Sequence, residues 1–269
     1  MIIEAGKSER HYWSDLWKYR ELFLFLSWRD ILVRYKQTSI GIIWALLRPV
    51  LTTIIFVIVF SRVAKMPSGG IPYPILVFSG MLPWQFFATA LSESSNSLVA
   101  NANMISKIYF PRLVVPASAI IVALTDFMIS LAILGAMMLF YGIMPTWHFL
   151  LIIPLTGLAF LAAFGAGVLL AALNVEYRDF RYVIPFIVQF GLYVSPVGFS
   201  SSVIPEQWRL LYSMNPMVGV IDGFRWAITG KAEFFHWGGF GISVGLVLVL
   251  VGVGIWYFRK TERAFADVI

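Results

Sequence analysis

The side chains with the clearest chemical potential in this sequence are three cations near the start of a long apolar run. Arg34 and Lys36 precede the run Gly41–Ser61, and Arg48 lies inside it, directly before Pro49. An arginine at mid-membrane costs about 2.5 kcal/mol or more, and its planar guanidinium can donate two hydrogen bonds to one phosphate. We therefore expect these cations either to bind a phosphate-bearing ligand or to reach lipid phosphates.

Other patterns that could support catalysis or metal binding are weak. Residues Ala5–Ser8 (AGKS) resemble the end of a phosphate-binding loop, but the first glycine of that motif would fall at Met1, where no strand can precede it. The sequence has no cysteine and three histidines, His11, His148 and His236. The histidines are far apart in the sequence, which disfavours a shared metal site.

The composition indicates an integral membrane protein. Of the 269 residues, 59% are hydrophobic and only 13% are charged. The mean hydropathy is +0.82. A soluble domain of this length needs a more polar exterior. The net charge of +6 could indicate nucleic-acid binding, but no basic patch with interleaved aromatics lies on a soluble face, so we expect no nucleic-acid partner.

Six apolar segments have, or approach, the ~17–25 residues that a helix needs to cross a bilayer. They are residues 41–61, 74–91, 113–141, 149–173, 183–199 and 237–258. The fifth is the weakest prediction because Pro185 and Pro196 lie near its ends. We therefore predict an all-α integral membrane fold with an N-terminal segment (1–40), a six-span domain (41–258) and a short tail (259–269).

The distribution of positive charge predicts that both termini are cytoplasmic. With the N-terminus inside, 14 Lys and Arg residues fall in cytoplasmic segments and 5 in external ones, and Arg48 lies within a span. Cytoplasmic loops of membrane proteins carry such an excess. An even number of spans agrees with this orientation.

Residues 18–38 have the periodicity of an amphipathic helix that is too polar to span a membrane. Its apolar stripe consists of Leu24, Trp28, Ile31 and Tyr35. Its separate polar arc consists of Ser27, Asp30, Arg34 and Gln37. Such a helix can lie in the inner membrane interface, either as an anchor without a partner or as a docking platform for a cytoplasmic subunit.

The segment 200–236 before the last span is long but not plainly hydrophilic. Pro205 and the pair Asn215-Pro216 divide it into two short amphipathic helices. Apolar residues in an external loop predict a re-entrant helical hairpin, whose irregular backbone must be buried in protein or line a wet cavity.

Asp126 is the one acidic residue well inside a predicted span. A carboxylate at such a position can pair with a cation, cap a neighbouring helix or line a conduit. No partner for a proton relay is apparent in the sequence, which favours a structural hydrogen-bonding role.

Three stretches carry a resemblance to a known family. They are Arg34–Pro49 (RYKQTSIGIIWALLRP), Asn101–Pro116 (NANMISKIYFPRLVVP) and Leu173–Phe186 (LNVEYRDFRYVIPF). In this order they are similar to segments of the membrane subunits of bacterial polysaccharide ABC exporters. These are the permeases for O-antigen, capsular polysaccharide and teichoic acid, in the type-2 ABC exporter class. The similarity runs from Tyr19 to Phe258, with a departure at Glu176, where the family pattern has an apolar or aromatic residue.

The resemblance implies a transport subunit rather than an enzyme. It implies a homodimer of six-span subunits in the bacterial inner membrane, together with two cytoplasmic ATPase subunits. The implied cargo is a polyprenyl-pyrophosphate-linked polysaccharide, with O-antigen as the expected substrate. No cofactor is expected on this chain, because ATP and Mg²⁺ would be bound by the partner ATPase.

The resemblance also implies roles for particular stretches. The amphipathic helix would dock on the ATPase, residues 93–109 would hold a coupling helix, and residues 200–236 would cap the exit. The implied docking residues are Trp28, Arg29, Arg34, Lys36, Asn101, Asn103, Ser106 and Lys107. The cations Arg34, Lys36 and Arg48 would then form a gate for the pyrophosphate of the lipid carrier.

Aromatic residues are candidates for the lining of a glycan conduit. The chain has 10 Trp, 11 Tyr and 23 Phe residues. Aromatic faces bind the C–H-rich faces of sugars and form few fixed hydrogen bonds with the hydroxyls, so a polymer can slide along them. The expected lining residues are Trp84, Phe86, Phe87, Tyr193, Phe199, Trp208 and Trp226. For each of them singly, packing in the core or in an interfacial belt is the alternative.

Three other classes of membrane protein stay open as alternatives. A related ABC exporter of drugs or lipids has the same architecture, although its motifs fit less well. A stand-alone channel or secondary transporter predicts paired intramembrane charges or a repeated half, and the sequence shows neither. An enzyme acting on lipid-linked sugars needs acidic clusters at a membrane face, whereas the pair Glu176 and Asp179 is mixed with arginines.

Overall fold

The computed structural model describes residues 12–36 and 41–265, and for residues 41–46 and 48 it describes the backbone alone. The described chain is helical and contains no strand. Its α-helices are α1 Tyr12–Lys18, α2 Arg20–Lys36, α3 Gly41–Phe56, α4 Tyr73–Ala100, α5 Ala102–Ile105, α6 Val114–Phe140, α7 Ile152–Glu176, α8 Phe180–Val194, α9 Glu206–Tyr212, α10 Pro216–Thr229 and α11 Trp237–Thr261. A π-helical segment, Val57–Val63, continues α3.

Four helical segments in the described part of the chain are long and apolar enough to cross a membrane. They are Tyr73–Ala100, Val114–Phe140, Trp147–Glu176 and Trp237–Ala264. Pro49–Val63 and Phe180–Val194 are shorter apolar helices. The structure therefore supports an all-α integral membrane protein with several spans, and the count of six stays a prediction.

Helix α4 forms the centre of the bundle. Most of its side chains are buried, and it packs against α6, α7 and α10. It continues to Ala100, past the predicted end at Leu91. The added turns are rich in serine, and the hydroxyls of Ser95 and Ser97 donate to carbonyls one turn earlier, at 3.0 and 2.7 Å, so these side chains are satisfied within the helix.

Helix α8 lies earlier in the sequence than the fifth predicted span. It begins at Phe180 and ends at Val194, whereas the predicted span runs from 183 to 199. The residue after it, Ser195, is extended, with ψ of 151°. Pro196 explains this end, because the ring of a proline disfavours helical geometry in the residue before it.

The helices run between two ends of the bundle. At one end, Tyr12 donates a hydrogen bond to Glu262, and the guanidinium of Arg112 donates to the carbonyl of Glu262. We call this the terminal end, which holds α1, residues 101–113 and residues 259–265. The two ends of the described chain lie together there, as an even number of spans requires.

The opposite end holds α9, α10 and the loops that precede α4 and α7. Lys231 donates to the carbonyl of Gly69, and the ring of His148 lies 5.2 Å from that of Trp226. We call this the hairpin end. Helix α9 begins after Pro205, and α10 begins at Pro216 with the side chain of Asn215 as its N-cap, so the two predicted breaks are confirmed. Re-entry into a membrane stays a prediction.

The amphipathic helix predicted over residues 18–38 differs from expectation in two ways. It starts at Arg20 as α2, since Lys18 is the last residue of the separate helix α1, and residues 37–40 lie outside the described part. Ser27 is buried and Arg34 is half-buried, which shows that its polar arc faces the protein rather than water. By contrast, Trp28 on the apolar stripe is 62% exposed. The reason is that Arg34 on this arc pairs with Glu93 on α4 and Asp126 on α6.

Candidate functional site

The predicted docking residues of α2 and of the α4–α5 junction lie together. The guanidinium of Arg29 donates to the side-chain oxygen of Asn101 at 3.1 Å and pairs with the carboxylate of Asp30 at 2.7 Å. Asn101 in turn donates to the carbonyl of Ser97, which joins the end of α4 to the start of α5. Two stretches that are more than seventy residues apart in the sequence therefore form one surface.

This surface carries several exposed side chains. Trp28 is exposed on α2, and Asn103, Ser106 and Lys107 are exposed on and after α5. Together with Arg29 and Asn101, these residues define what we call the α2/α5 face. Tyr109, just beyond it, is also exposed, and its carbonyl accepts a hydrogen bond from the hydroxyl of Tyr19 at 3.4 Å. Of these side chains, the exposed indole of Trp28 and the guanidinium of Arg29 are of the types enriched at protein interfaces.

Arg34 occupies a different environment from the rest of the predicted docking set. Its guanidinium lies 2.7 Å from the carboxylate of Asp126 on α6 and 3.5 Å from that of Glu93 on α4. The hydroxyl of Tyr35 also donates to Asp126, and burial together with this contact raises the pKa of Tyr35. The structure thus gives Asp126 two partners on α2, in agreement with the structural role favoured by the sequence.

A cleft of about 340 Å³ opens beside this ion pair. Asp30, Arg34 and Glu93 line it, with Val33, Ala119 and Val122 as apolar neighbours. Two acids beside one paired arginine make this cleft a poor environment for a pyrophosphate. Lys36 is exposed at the end of α2, and the side chain of Arg48 lies outside the described residues. The pyrophosphate gate therefore stays a prediction, with Arg34 its weakest member.

The predicted conduit aromatics divide into three groups, which are buried, exposed and half-buried. Trp84, Phe86 and Phe87 are between 2 and 8% exposed and pack within the core, so in this chain they do not present a surface to a polymer. The reason is that α4 is central, and Phe86, for example, packs on Phe127 at 5.4 Å between ring centres. Their place in the predicted lining is therefore corrected to core packing.

The remaining aromatics keep some accessible surface. Tyr193 and Trp208 are 65% and 54% exposed. Phe199 and Trp226 are half-buried, and the ring of Trp226 lies 4.7 Å from that of Phe235. These four residues lie on or near the hairpin end, where a conduit would open.

A buried charged pair on α10 was missed by the sequence analysis, which counted Arg225 among external loop charges. Arg225 is fully buried, and it donates to the carbonyl of Val197 at 3.0 Å and to that of Leu76 at 3.4 Å. Asp222, one turn earlier on the same helix, is also buried. The signal that could have revealed the pair is an Asp and an Arg at i and i+3 within an otherwise apolar helix.

A second missed cluster ties the terminal end together. Arg259 lies over the ring of Tyr12 at 4.4 Å, and Glu262 accepts from the Tyr12 hydroxyl at 3.1 Å. Arg112 completes the cluster around a cavity of about 250 Å³. These contacts fix α1 and the end of α11 relative to the loop that precedes α6.

Fold and site together define a multi-pass helical membrane protein that presents a polar helical face at one end of its bundle. Residues 21–229 match the family model described as ABC-2 type transporter, and the chain belongs to this family. It is therefore a membrane transport subunit, and membership of this family implies a partner ATPase.

Several proteins of known role are similar to this chain over most of its length. The O-antigen export system permease protein RfbA of Klebsiella pneumoniae is 27% identical over 250 residues, which cover 93% of this chain and 95% of that protein. The RfbA permease of Myxococcus xanthus is 29% identical over 216 residues, covering 78% and 81%. The polysialic acid transport protein KpsM of Escherichia coli is 24% identical over 250 residues, covering 90% and 93%.

Proposed function

We propose that this chain is the permease subunit of an ATP-driven exporter that moves a lipid-linked polysaccharide, with O-antigen as the expected cargo, across the bacterial inner membrane. The observation that carries this proposal is its similarity to O-antigen export permeases over nearly the whole length of both chains. The choice of O-antigen among polysaccharides is supported by the identities, which are 27% and 29% for the O-antigen permeases and 24% for the polysialic acid transporter. The subunit is proposed to act as a homodimer with two ATPase subunits.

The proposed ATPase-docking surface is the α2/α5 face. Its support is that Arg29 and Asn101 join α2 to the junction of α4 and α5 while Trp28 and Lys107 stay exposed. A partner that moves this face moves the end of the buried helix α4 with it, because α5 follows α4 after one residue. ATP hydrolysis on the partner can thus act on the centre of the bundle.

A second connection runs from α2 into the bundle through Arg34. Its pairing with Asp126 and Glu93 links α2 to α6 and α4. We assign Arg34 to this link, and we keep Lys36 and Arg48 as the proposed contacts for the pyrophosphate of the lipid carrier. Lys36 ends α2, and Arg48 lies within α3, the first apolar helix. Both are cations that a carrier in the inner leaflet could meet.

The experiment that tests the proposal is co-expression with the ATPase encoded nearest to this gene, followed by purification through a tag on this chain alone. We expect an ATPase to co-purify in equal amounts. Trp28→Ala should reduce its retention by about tenfold or more if the indole is an anchor of the interface. Scrambling residues 102–105 should have the same effect.

The matched control is Trp147→Ala, because Trp147 is 69% exposed but lies at the hairpin end. It should leave ATPase retention unchanged. Equal losses from both tryptophan variants would remove the α2/α5 face as the docking surface. Purification of the chain without any ATPase, under every condition tried, would overturn the proposed function.

A further inference from the structure

A cluster of unpartnered polar atoms lies between α9, α10 and the start of α11. In the described part of the chain, the Nε of Arg209, the hydroxyl of Tyr212 and the Oδ1 of Asp222 are buried and have no protein hydrogen-bond partner. Asp222 Oδ1 lies 3.8 Å from a guanidinium nitrogen of Arg225, which is too long for a hydrogen bond. Buried polar atoms without partners are rare and destabilising, so three at one place require an explanation.

The three residues line one small cavity. Its other polar wall residues are Ser201, Ser213 and His236. The volume available to the centre of a water molecule is about 10 Å³. A cavity needs roughly 10–15 Å³ on this measure to hold one water, so this one fits a single water and is far too small for a sugar ring.

The polarity of the three atoms selects the ligand. The Arg209 nitrogen can only donate, the ionised Asp222 oxygen can only accept, and the Tyr212 hydroxyl can do either. A chloride would meet the carboxylate of Asp222, and a metal cation would meet the guanidinium groups of Arg209 and Arg225. Water both donates and accepts, and it typically makes about three hydrogen bonds when buried.

We propose that this cavity is a binding site for one water molecule, and that the water ties α9 to α10. It accepts from Arg209 and donates to Asp222, and its third bond is to the hydroxyl of Tyr212. No residue of α9 is buried as a whole, and its ion pair between Arg209 and Glu206 lies within the helix, so neither feature ties α9 to α10. The water therefore sets the position of α9, and with it that of the exposed Trp208.

The test is a structure of the protein in its complex with the ATPase, at a resolution that shows ordered waters. We expect a density peak within hydrogen-bonding distance of all three atoms, with the height of a water. Direct contacts among the three side chains with no peak between them would overturn the proposal. A second data set in bromide should leave the peak height unchanged, and a rise would identify a halide site and overturn the proposal as well.

A pair of tyrosine variants tests the tie independently of resolution. Tyr212→Phe removes one partner of the water while keeping the ring, so the melting temperature should fall by about 2–4 °C. The control is Tyr193→Phe, because Tyr193 is 65% exposed. It should shift the melting temperature by much less. Equal shifts would show that the Tyr212 hydroxyl makes no buried hydrogen bond, which would overturn the tie.

Discussion

Arg34 shows how much of a side chain's role is decided by residues far away in the sequence. The cluster of Arg34, Lys36 and Arg48 predicts a site for phosphate, yet Arg34 is paired with Asp126 and Glu93, from α6 and α4. No local pattern could identify these partners, because they lie 92 and 59 residues further along the chain. The sequence did mark Asp126 as a carboxylate in need of a partner.

The two acids that hold Arg34 should differ in their contribution to stability. Asp126→Asn should lower the free energy of unfolding by about 1–2 kcal/mol, since it weakens a 2.7 Å ion pair that is about one-quarter exposed. Glu93→Gln should cost less than about 0.5 kcal/mol, because its contact is 3.5 Å long and half-exposed. Double-mutant cycles with Arg34→Gln, followed by thermal unfolding, measure both couplings. A coupling with Glu93 as large as that with Asp126 would contradict the assigned link.

Asp222 should make stability depend on pH. Burial raises its pKa from 3.8 to about 6, against the opposing effects of Arg225, Ser201 and Arg209. The folded protein therefore binds a proton at Asp222 more readily than the unfolded chain does. This residue adds stability as the pH falls from about 7 to about 5 and loses that contribution as the pH rises through about 6.

The comparison of the protein with Asp222→Asn isolates this effect from those of other groups. The melting temperature of the unchanged protein, relative to that of the variant, should rise as the pH falls over this range. A difference that is independent of pH, or that changes in the opposite direction, would show that Asp222 does not titrate as described.

At the scale of elements, apolar runs predicted the helices well and their ends less well. Periodicity and length place α3, α6, α7 and α11 close to their predicted bounds, because burial in a bilayer favours long uninterrupted helices. The end of α4 was missed, because serines that bond back to their own helix look like a loop in the sequence. The end of α8 was misjudged because Pro196 was counted inside the span.

The contact between α7 and α11 depends on the absence of a side chain at Gly165. A Cβ there would lie 2.6 Å from the backbone nitrogen of Val251, and backbone cannot move aside cheaply. Gly165→Ala should therefore destabilise the protein by about 1–3 kcal/mol. Gly157→Ala on the same helix is the control, since its Cβ would meet no atom within 4 Å. Thermal unfolding of the two variants measures this difference in stability. Equal stability would contradict the close contact between α7 and α11 at Gly165.

For the whole molecule, the arrangement of two polar ends around an apolar bundle follows from the sequence, but the identity of the buried residues does not. Trp84 and Phe86 resemble lining residues in the sequence, yet α4 is central and buries them. Arg225 resembles a loop cation, yet it is fully buried. Composition indicates which residues avoid water. Only the packing shows whether each of them contacts lipid, protein or a conduit instead.

The orientation of the molecule can be tested directly because the chain has no cysteine. Single substitutions Ser106→Cys at the terminal end and Glu206→Cys at the hairpin end introduce one thiol each at exposed positions. We expect a membrane-impermeant maleimide to label only Glu206→Cys in cells whose outer membrane has been made permeable, since the terminal end is predicted to be cytoplasmic. Labelling of only Ser106→Cys would reverse the predicted orientation.

The most direct test of the central claim is transport itself. The subunit and its ATPase would be reconstituted into vesicles with a lipid-linked O-antigen polysaccharide, and the amount of glycan reaching the opposite side would be measured with and without ATP. The account predicts ATP-dependent movement that is lost with a hydrolysis-deficient ATPase and that requires the lipid-linked form of the glycan. Glycan movement without ATP, or ATP-driven movement of other lipids but not of the glycan, would contradict it.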